Sequence, residues 1–296
     1  MSDRRRVVIT GMGLVSPLGQ SVDLFWEGLL ASRSGVGAIQ RFDTTDFDIR
    51  IGGECLDFDP CAHMDRRAAK RLDRFAQMAV CAAKSAFDQS GLKAGDIDPS
   101  RIGVITGTGI GGIKELEEQH LRLLERGPCK VSAFTIPKLM GNAGSGNISI
   151  ILGARGPSTS VATACASATN AMGDAMYAIR RGDVDVVITG GSEAALTPLG
   201  TSAFAAMKAL SPRNDEPDKA SRPFDRDRDG FVMGEGAGIL VFEDFEHARK
   251  RGAEVLAEVL GYGMSADAYH ITQPEERGRG AAAPMRAAQA DAQLSP

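Results

Sequence analysis

Gly156-Pro157-Ser158-Thr159-Ser160-Val161-Ala162-Thr163-Ala164-Cys165-Ala166-Ser167-Ala168 is the stretch on which the reading of this chain turns. Hydroxylated and β-branched residues run to Thr163 and predict a strand. An alanine-rich helical pattern begins directly after Cys165 and is ended by Gly182. Every residue around the junction is small. A thiol between strand end and helix start lies at the positive end of the helix dipole, beside backbone N–H groups that the helix leaves unpaired. Both effects favour the thiolate, the reactive form of cysteine. The same N–H groups could donate to an oxyanion if the thiolate attacks a thioester or amide. The junction therefore has the form of a nucleophile elbow with cysteine as the nucleophile. From these residues alone two readings stand: a catalytic Cys165, or a small buried hydrophobe, as free cysteines often are.

Working outward, three runs share one pattern: Val7-Val8-Ile9-Thr10-Gly11, Val104-Ile105-Thr106-Gly107 and Val187-Ile188-Thr189-Gly190. Short continuous apolar runs fit strands buried on both faces, as in parallel sheets. Helical patterns separate them. Val22, Phe25, Trp26, Leu29 and Leu30 recur at helical spacing behind Ser21 as N-cap, and residues 66–90 carry Leu72, Phe75, Ala76, Ala79, Ala83 and Ala86 on one stripe. Further strands are predicted at Gly238–Phe242 and from Glu254 to Leu260, and a weak helical stretch follows Gly278. Alternating helices and buried strands predict a layered α/β fold. Between Leu210 and Gly230 the chain is polar and rich in Pro, Arg and Asp; a surface loop of that length is usually functional.

Composition narrows the class. The 296 residues carry 34 Lys+Arg against 38 Asp+Glu, a net charge of −4, which argues against a nucleic-acid or anionic-membrane surface. Thr10, Gly11 and Gly13 break the apolar stretch behind the basic N-terminus too early for a secretory signal, and no apolar run is long enough to span a bilayer, so a cytoplasmic protein is expected. Cys55, Cys61, Cys81, Cys129 and Cys165 are odd in number and contain no C-x-x-C, so neither a disulfide framework nor a structural zinc site is expected.

Other motifs weaken on inspection. Gly11-Met12-Gly13-Leu14-Val15-Ser16 has Ser16 where a dinucleotide fingerprint needs its third glycine, and reads as a plain strand-to-loop turn. Thr106 to Gly112 is glycine-rich but lacks the Gly-Lys-Ser/Thr of a P-loop; it reads as a place where backbone and a flexible substrate approach, with Ile110 as an apolar wall. Asp225 to Gly230 imitates a calcium loop, but the twelfth position is Gly236, with Glu235 one residue early, so no metal is expected. Phe231 to Gly238 reads instead as a glycine-lined loop feeding a strand. The helix opening at Asp65 carries Arg66, Arg67, Lys70, Arg71 and Arg74 where the dipole disfavours cations, with 67, 70, 71 and 74 on one face. This is either a solvated face or a docking patch for an acidic partner.

Taken together, RRVVITGMGLVSPLG (5–19), GTGIGG (107–112), GPSTSVATACASA (156–168), VVITGGSEA (186–194), ALSPRND (209–215), SRPFDRDRDGFVMGEGAG (221–238) and DAYHITQP (267–274) resemble, in order and spacing, the β-ketoacyl-acyl-carrier-protein synthases of the elongating type, close to synthase II. The resemblance implies a thiolase-like layered αβαβα fold, its N-terminal half (residues 1–252) complete and its C-terminal half begun at 253–296 and truncated. It implies a homodimer and acyl carrier protein as partner. No cofactor is implied beyond the phosphopantetheine that carries the substrates. Cys165 would take an acyl group, with its own N–H in the oxyanion hole, before decarboxylative condensation with malonyl carrier protein. Ile110 and Phe204 would line the acyl pocket; Arg67, Lys70, Arg71 and Lys208 would meet the carrier protein; Asp267 and Thr272 would lie near the pantetheine channel. The family's two catalytic histidines belong to segments this sequence does not contain, and His63, His120, His247 and His270 match neither. The chain is therefore expected to match the first two-thirds of the pattern, to be marginally stable, and to be inactive in condensation by itself. The alternative is a non-catalytic docking or chain-length-type subunit of a heterodimer.

Overall fold

The computed structural model describes residues 4–93, 95 and 97–295. Along the chain the elements are β1 (Val7–Val15), α1 (Val22–Leu30), β2 (Gly37–Ala38), β3 (Ile51–Gly52), α2 (Arg66–Ala69), α3 (Arg74–Gln89), β4 (Ile102–Gly107), α4 (Ile113–Arg126), α5 (Thr135–Leu139) and α6 (Ala143–Leu152). They continue with β5 (Ser158–Val161), α7 (Ser167–Arg180), β6 (Val186–Glu193), α8 (Pro198–Ala206), β7 (Gly236–Asp244), α9 (Phe245–Lys250), β8 (Ala257–Val259) and α10 (Arg279–Ala292).

Six strands form one sheet in the order β5-β4-β6-β7-β1-β8. Successive residues of each central strand face opposite layers. Val104, Val186, Ile188, Ile239 and Val241 pack against Phe75, Met78 and Ala82 of α3 and Ile148 of α6. Their neighbours Ile105, Val187 and Phe242 pack against Ala171, Ala175, Met176 and Ile179 of α7. The described residues thus supply three layers, helix, sheet and helix.

Several sequence expectations need correction. The continuous apolar runs suggested a parallel sheet, yet only β5, β4 and β6 are parallel; β7 is antiparallel to β6, and β1 is antiparallel to β7 and β8. Such runs report burial on both faces, which helices impose here whatever the strand direction. The Gly11–Ser16 turn does not form. β1 runs on to Val15, and its glycines exist because α3 crosses directly above: a Cβ on Gly13 would stand 2.1 Å from the Ala82 carbonyl oxygen.

The predicted helix over 66–90 is two helices. Asp65 caps α2 by accepting from Arg67 and Ala68 N–H, and Asp73 caps α3 by accepting from Phe75 N–H. The expected conflict with the dipole is relieved for Lys70, which sits at the C-cap of α2 where a cation is favoured, and for Arg71 between the helices. Arg66 and Arg67 still open α2, and Arg74 opens α3. The shared basic face dissolves: Arg74 turns inward to a bidentate pair with Glu235 (2.7 and 2.6 Å) and to the Cys55 carbonyl (2.8 Å). α1 forms as predicted, Ser21 accepting from Leu24 N–H, but within it only Gly28 is buried, and Trp26 and Leu30 stay exposed. The last predicted strand shrinks to Ala257–Val259, added beside β1.

Candidate active site

The C-terminal ends of β4 and β6 lie side by side, Gly107 opposite Gly191, under the first turn of α7. Neither position admits a side chain. A Cβ on Gly107 would lie 2.3 Å from the Ser167 carbonyl carbon, and one on Gly191 would lie 2.8 Å from the Ala168 Cβ. Close packing of strand ends on the helix start is what brings the N-terminus of α7 to the surface of the sheet.

The link from the edge strand β5 into α7 is the elbow. Ala164 adopts φ of 52°, a left-handed conformation unusual for a residue with a Cβ. Neighbouring bonds hold it there: the Ser167 hydroxyl donates to the Ala164 carbonyl (2.6 Å) and accepts from Thr163 N–H (2.9 Å). Asn170 donates to Thr163 Oγ1 (2.8 Å) and is itself fixed by the Tyr262 hydroxyl (2.7 Å). Ala166 and Ser167 N–H donate back to Thr163 and Ala164, and the N–H of Cys165 is not among the donors of the turn. Cys165 is exposed. Cys55 and Cys81 are the opposite case, buried and with thiols pushed up to about 12, chiefly by burial. The buried-hydrophobe reading therefore fits those two and not Cys165.

Cys165 lines a cavity of about 520 Å³ whose walls include Ile110 and Phe204. Three residues named from sequence thus meet in one space. Phe204 is held edge-on by Phe231 (centroids 5.5 Å apart, planes at 81°), and Phe231 and Met233 are further walls. Glu193, at the end of β6, lines it too and accepts from Gly109 N–H (2.7 Å), Ile110 N–H (3.0 Å) and the Thr108 hydroxyl (3.2 Å). A thiol on the wall of a largely apolar cavity, at a helix N-terminus, has room beside it for an apolar chain.

Residues 4–248 match the family described as "Beta-ketoacyl synthase, N-terminal domain". The chain belongs to the β-ketoacyl synthase family. Its relatives include the 3-oxoacyl-[acyl-carrier-protein] synthase 2 of Synechocystis sp., 48% identical over 99% of this chain and 71% of that protein, and that of Vibrio cholerae, 49% identical over 98% and 70%. Among solved structures, the ishigamide ketosynthase/chain length factor superposes with a TM-score of 0.91 at 36% identity, covering 99% of this chain and 71% of that one. A β-ketoacyl synthase from Burkholderia phymatum gives 0.87 at 34%, covering 98% and 71%. The fold is thus the thiolase-like ketosynthase fold, and the family is one of acyltransferases.

The remaining residues of this ketosynthase named from sequence do not join the cavity. Arg67, Lys70 and Arg71 are exposed on and just after α2, with the Arg71 guanidinium 5.1 Å from the Phe134 ring centre. Lys208 lies on a separate element, the turn after α8. Asp267 and Thr272 lie on the exposed segment between β8 and α10; Asp267 accepts from Glu275 N–H (2.9 Å), and Thr272 N–H donates to His270 Nδ1 (3.2 Å). None of the four histidines is a wall of the cavity; His247 instead meets Glu243 (2.6 Å). Glu235, which the calcium reading weighed, is buried against Arg74, and Asp229 pairs with Arg213 (3.0 Å). Glu193, Phe231 and Met233 went unread as site residues although all lie in the matched motifs.

Proposed function

We propose that this chain is a 3-oxoacyl-acyl-carrier-protein synthase of fatty acid elongation, loading acyl groups onto Cys165. The observation that carries it is the exposed thiol at the start of α7, opening into the cavity walled by Ile110 and Phe204. In loading, the Cys165 sulfur attacks the thioester carbonyl of an acylated phosphopantetheine. A new C–S bond forms, the old one breaks, and the pantetheine thiol leaves with the proton. The Cys165 N–H, at the helix N-terminus, supports the oxyanion. In condensation, a malonyl thioester loses carbon dioxide and its carbanion attacks the acyl carbon, releasing the sulfur. That step needs groups to polarise the malonyl carbonyl and handle protons, the work of the family's histidines. Because no histidine among the described residues lines the cavity, the chain by itself loads but does not condense.

Intact-mass spectrometry after incubation with an acyl-carrier-protein thioester tests this. An adduct on Cys165 that falls by more than about a thousandfold in Cys165→Ala is the expected result. No adduct on wild-type Cys165 would sink it.

The acidic carrier protein would be met by Arg67, Lys70 and Arg71, with Lys208, and the pantetheine arm by Asp267 and Thr272. A second copy would cover the edge strand β5 together with the exposed Leu124, Ile136 and Ile150 of α4, α5 and α6, giving a homodimer. Among the described residues no helix is long and apolar enough to cross a membrane, which fits a cytoplasmic enzyme. The likeness to a ketosynthase/chain length factor favours, as second reading, a non-catalytic subunit of a heterodimer. That reading gives no function to the exposed Cys165, and stable pairing with a ketosynthase without adduct formation would support it.

A further inference from the structure

The glycine-rich segment from Gly107 to Gly112 carries Ile110 on the cavity wall but is poorly anchored by its own sequence. Gly109, Gly111 and Gly112 contribute no side chains, and Ile110 is 44% exposed. Its two ends are tied by Thr108 N–H to the Val161 carbonyl and Gly112 N–H to the Leu139 carbonyl (3.1 Å each), and between them the hold comes from β6. One carboxylate oxygen of Glu193 accepts from both Gly109 N–H (2.7 Å) and Ile110 N–H (3.0 Å), and the other accepts from the Thr108 hydroxyl (3.2 Å). The fit is close: a Cβ on Gly109 would stand 3.0 Å from the same Glu193 oxygen. A carboxylate receiving three donors from consecutive residues fixes their backbone, and here it fixes the residue whose side chain bounds the space beside Cys165.

We infer that Glu193 is a positioning residue that sets acyl-chain selectivity by clamping Ile110 against the cavity. The inference rests on the acyl-loading reading above. Glu193 takes no part in bond making. It limits how far the Ile110 wall retreats before a long chain, and selectivity per methylene in apolar pockets is steep enough for small displacements to matter.

Three variants separate the clamp from its charge. Glu193→Gln keeps an oxygen that accepts both backbone N–H groups, while its amide donates to Thr108, so the clamp survives without the charge. Glu193→Ala removes it. Gly109→Ala presses on the carboxylate from the loop side and serves if Glu193→Ala fails to fold. The probes are hexanoyl, decanoyl and tetradecanoyl coenzyme A thioesters, read by mass spectrometry at Cys165, with amide hydrogen exchange over residues 107–112 read in parallel. In Glu193→Ala the exchange of Gly109 and Ile110 amides accelerates, and the tetradecanoyl-to-hexanoyl loading ratio rises about tenfold. Gly109→Ala shifts both the same way, and Glu193→Gln stays close to wild type. Unchanged exchange in Glu193→Ala and Gly109→Ala overturns the clamp. Faster exchange with an unchanged loading ratio overturns the selectivity role, and Glu193→Gln behaving as Glu193→Ala overturns the hydrogen-bond basis. Wild type that takes no acyl group on Cys165 sinks the loading reading itself, and the exchange data then still report on the clamp.

Discussion

Val8-Ile9-Thr10-Gly11-Met12-Gly13 and Val104-Ile105-Thr106-Gly107-Thr108-Gly109 share one pattern, V-I-T-G-x-G, and do opposite things. In the first, the strand continues through both glycines to Val15 because β7 offers a ladder as far as Ala237 and α3 needs the glycines bare to cross. In the second, the strand stops at Gly107, which the start of α7 covers, the chain swings out under Glu193, and Gly109 borders a cavity. The difference lies in the second glycine of each run. Gly11 and Gly107 both meet helix backbone, of α3 and α7, but Gly13 meets α3 again, whereas Gly109 meets a Glu193 carboxylate oxygen at 3.0 Å and nothing else closer than 3.5 Å. A glycine motif states that a side chain is excluded; the excluding neighbour decides whether this serves packing or chemistry.

Gly13→Ala and Gly109→Ala put that contrast to the test, with the largest expected effect. The Gly13 Cβ would meet the Ala82 oxygen at 2.1 Å and the Ala86 nitrogen at 2.7 Å, so α3 must be displaced, at a cost of about 3 kcal/mol. Gly109 is exposed and does not have the positive φ that penalises alanine, so its variant stays within about 0.5 kcal/mol of wild type. Thermal melts followed by circular dichroism should show a drop of roughly 6–12 °C for the first and almost none for the second. Equal shifts would mean that the two segments are excluded from side chains in the same way.

The threonines carry the comparison to a third run, Val187-Ile188-Thr189-Gly190. Thr10 is buried and donates to Glu243 (2.8 Å), a fully buried carboxylate that also takes Arg251 (2.7 and 2.8 Å) and His247. Thr189 is equally buried, yet its hydroxyl has no partner among the described residues. Replacing each by valine keeps the shape and removes the hydroxyl. Thr10→Val leaves an ionised acceptor short of a donor and costs about 2 kcal/mol, whereas Thr189→Val is neutral or stabilising by about 0.5 kcal/mol. Urea midpoints at unchanged slope measure both.

This bears on what could be read from residues alone. The elbow at Cys165 was legible because strand end, small turn and helix start are contiguous, so local rules suffice. Ile110 was legible as an apolar wall on its glycine-rich turn, Phe204 entered through resemblance, and the structure brings both to the same cavity. The break at Asp73 was written in the sequence, since an aspartate before a new apolar stripe is a cap, but the stripe ran through it in phase. Glu193 was not legible, because its role needs the register of two parallel strands. Only when Gly107 is set opposite Gly191 does the acid two residues beyond Gly191 come to face the amides two and three residues beyond Gly107. Arg74 failed for a similar reason: its partner Glu235 lies far along the chain, and nothing near residue 74 announces a buried carboxylate.

Acid sharpens the threonine comparison, with the smallest effect. Burial by itself would push the Glu243 carboxyl up, but the Arg251, His247 and Thr10 bonds outweigh it and hold the group below its ordinary value. A carboxylate depressed in the folded chain contributes stability that is fully present above its unfolded value, near pH 4.3, and lost as pH falls through the folded one. Thr10→Val lessens the depression, so the variant has less of this stability to lose. The gap in melting temperature between wild type and Thr10→Val is therefore widest near neutrality and narrows as pH falls below about 4.5. The offset of Thr189→Val, which touches no titrating group, keeps its size over the same range. A Thr10→Val gap that stayed constant from pH 7 to the acid transition would show that the hydroxyl acts by packing alone, and Thr10 and Thr189 would then differ in burial partners but not in electrostatics.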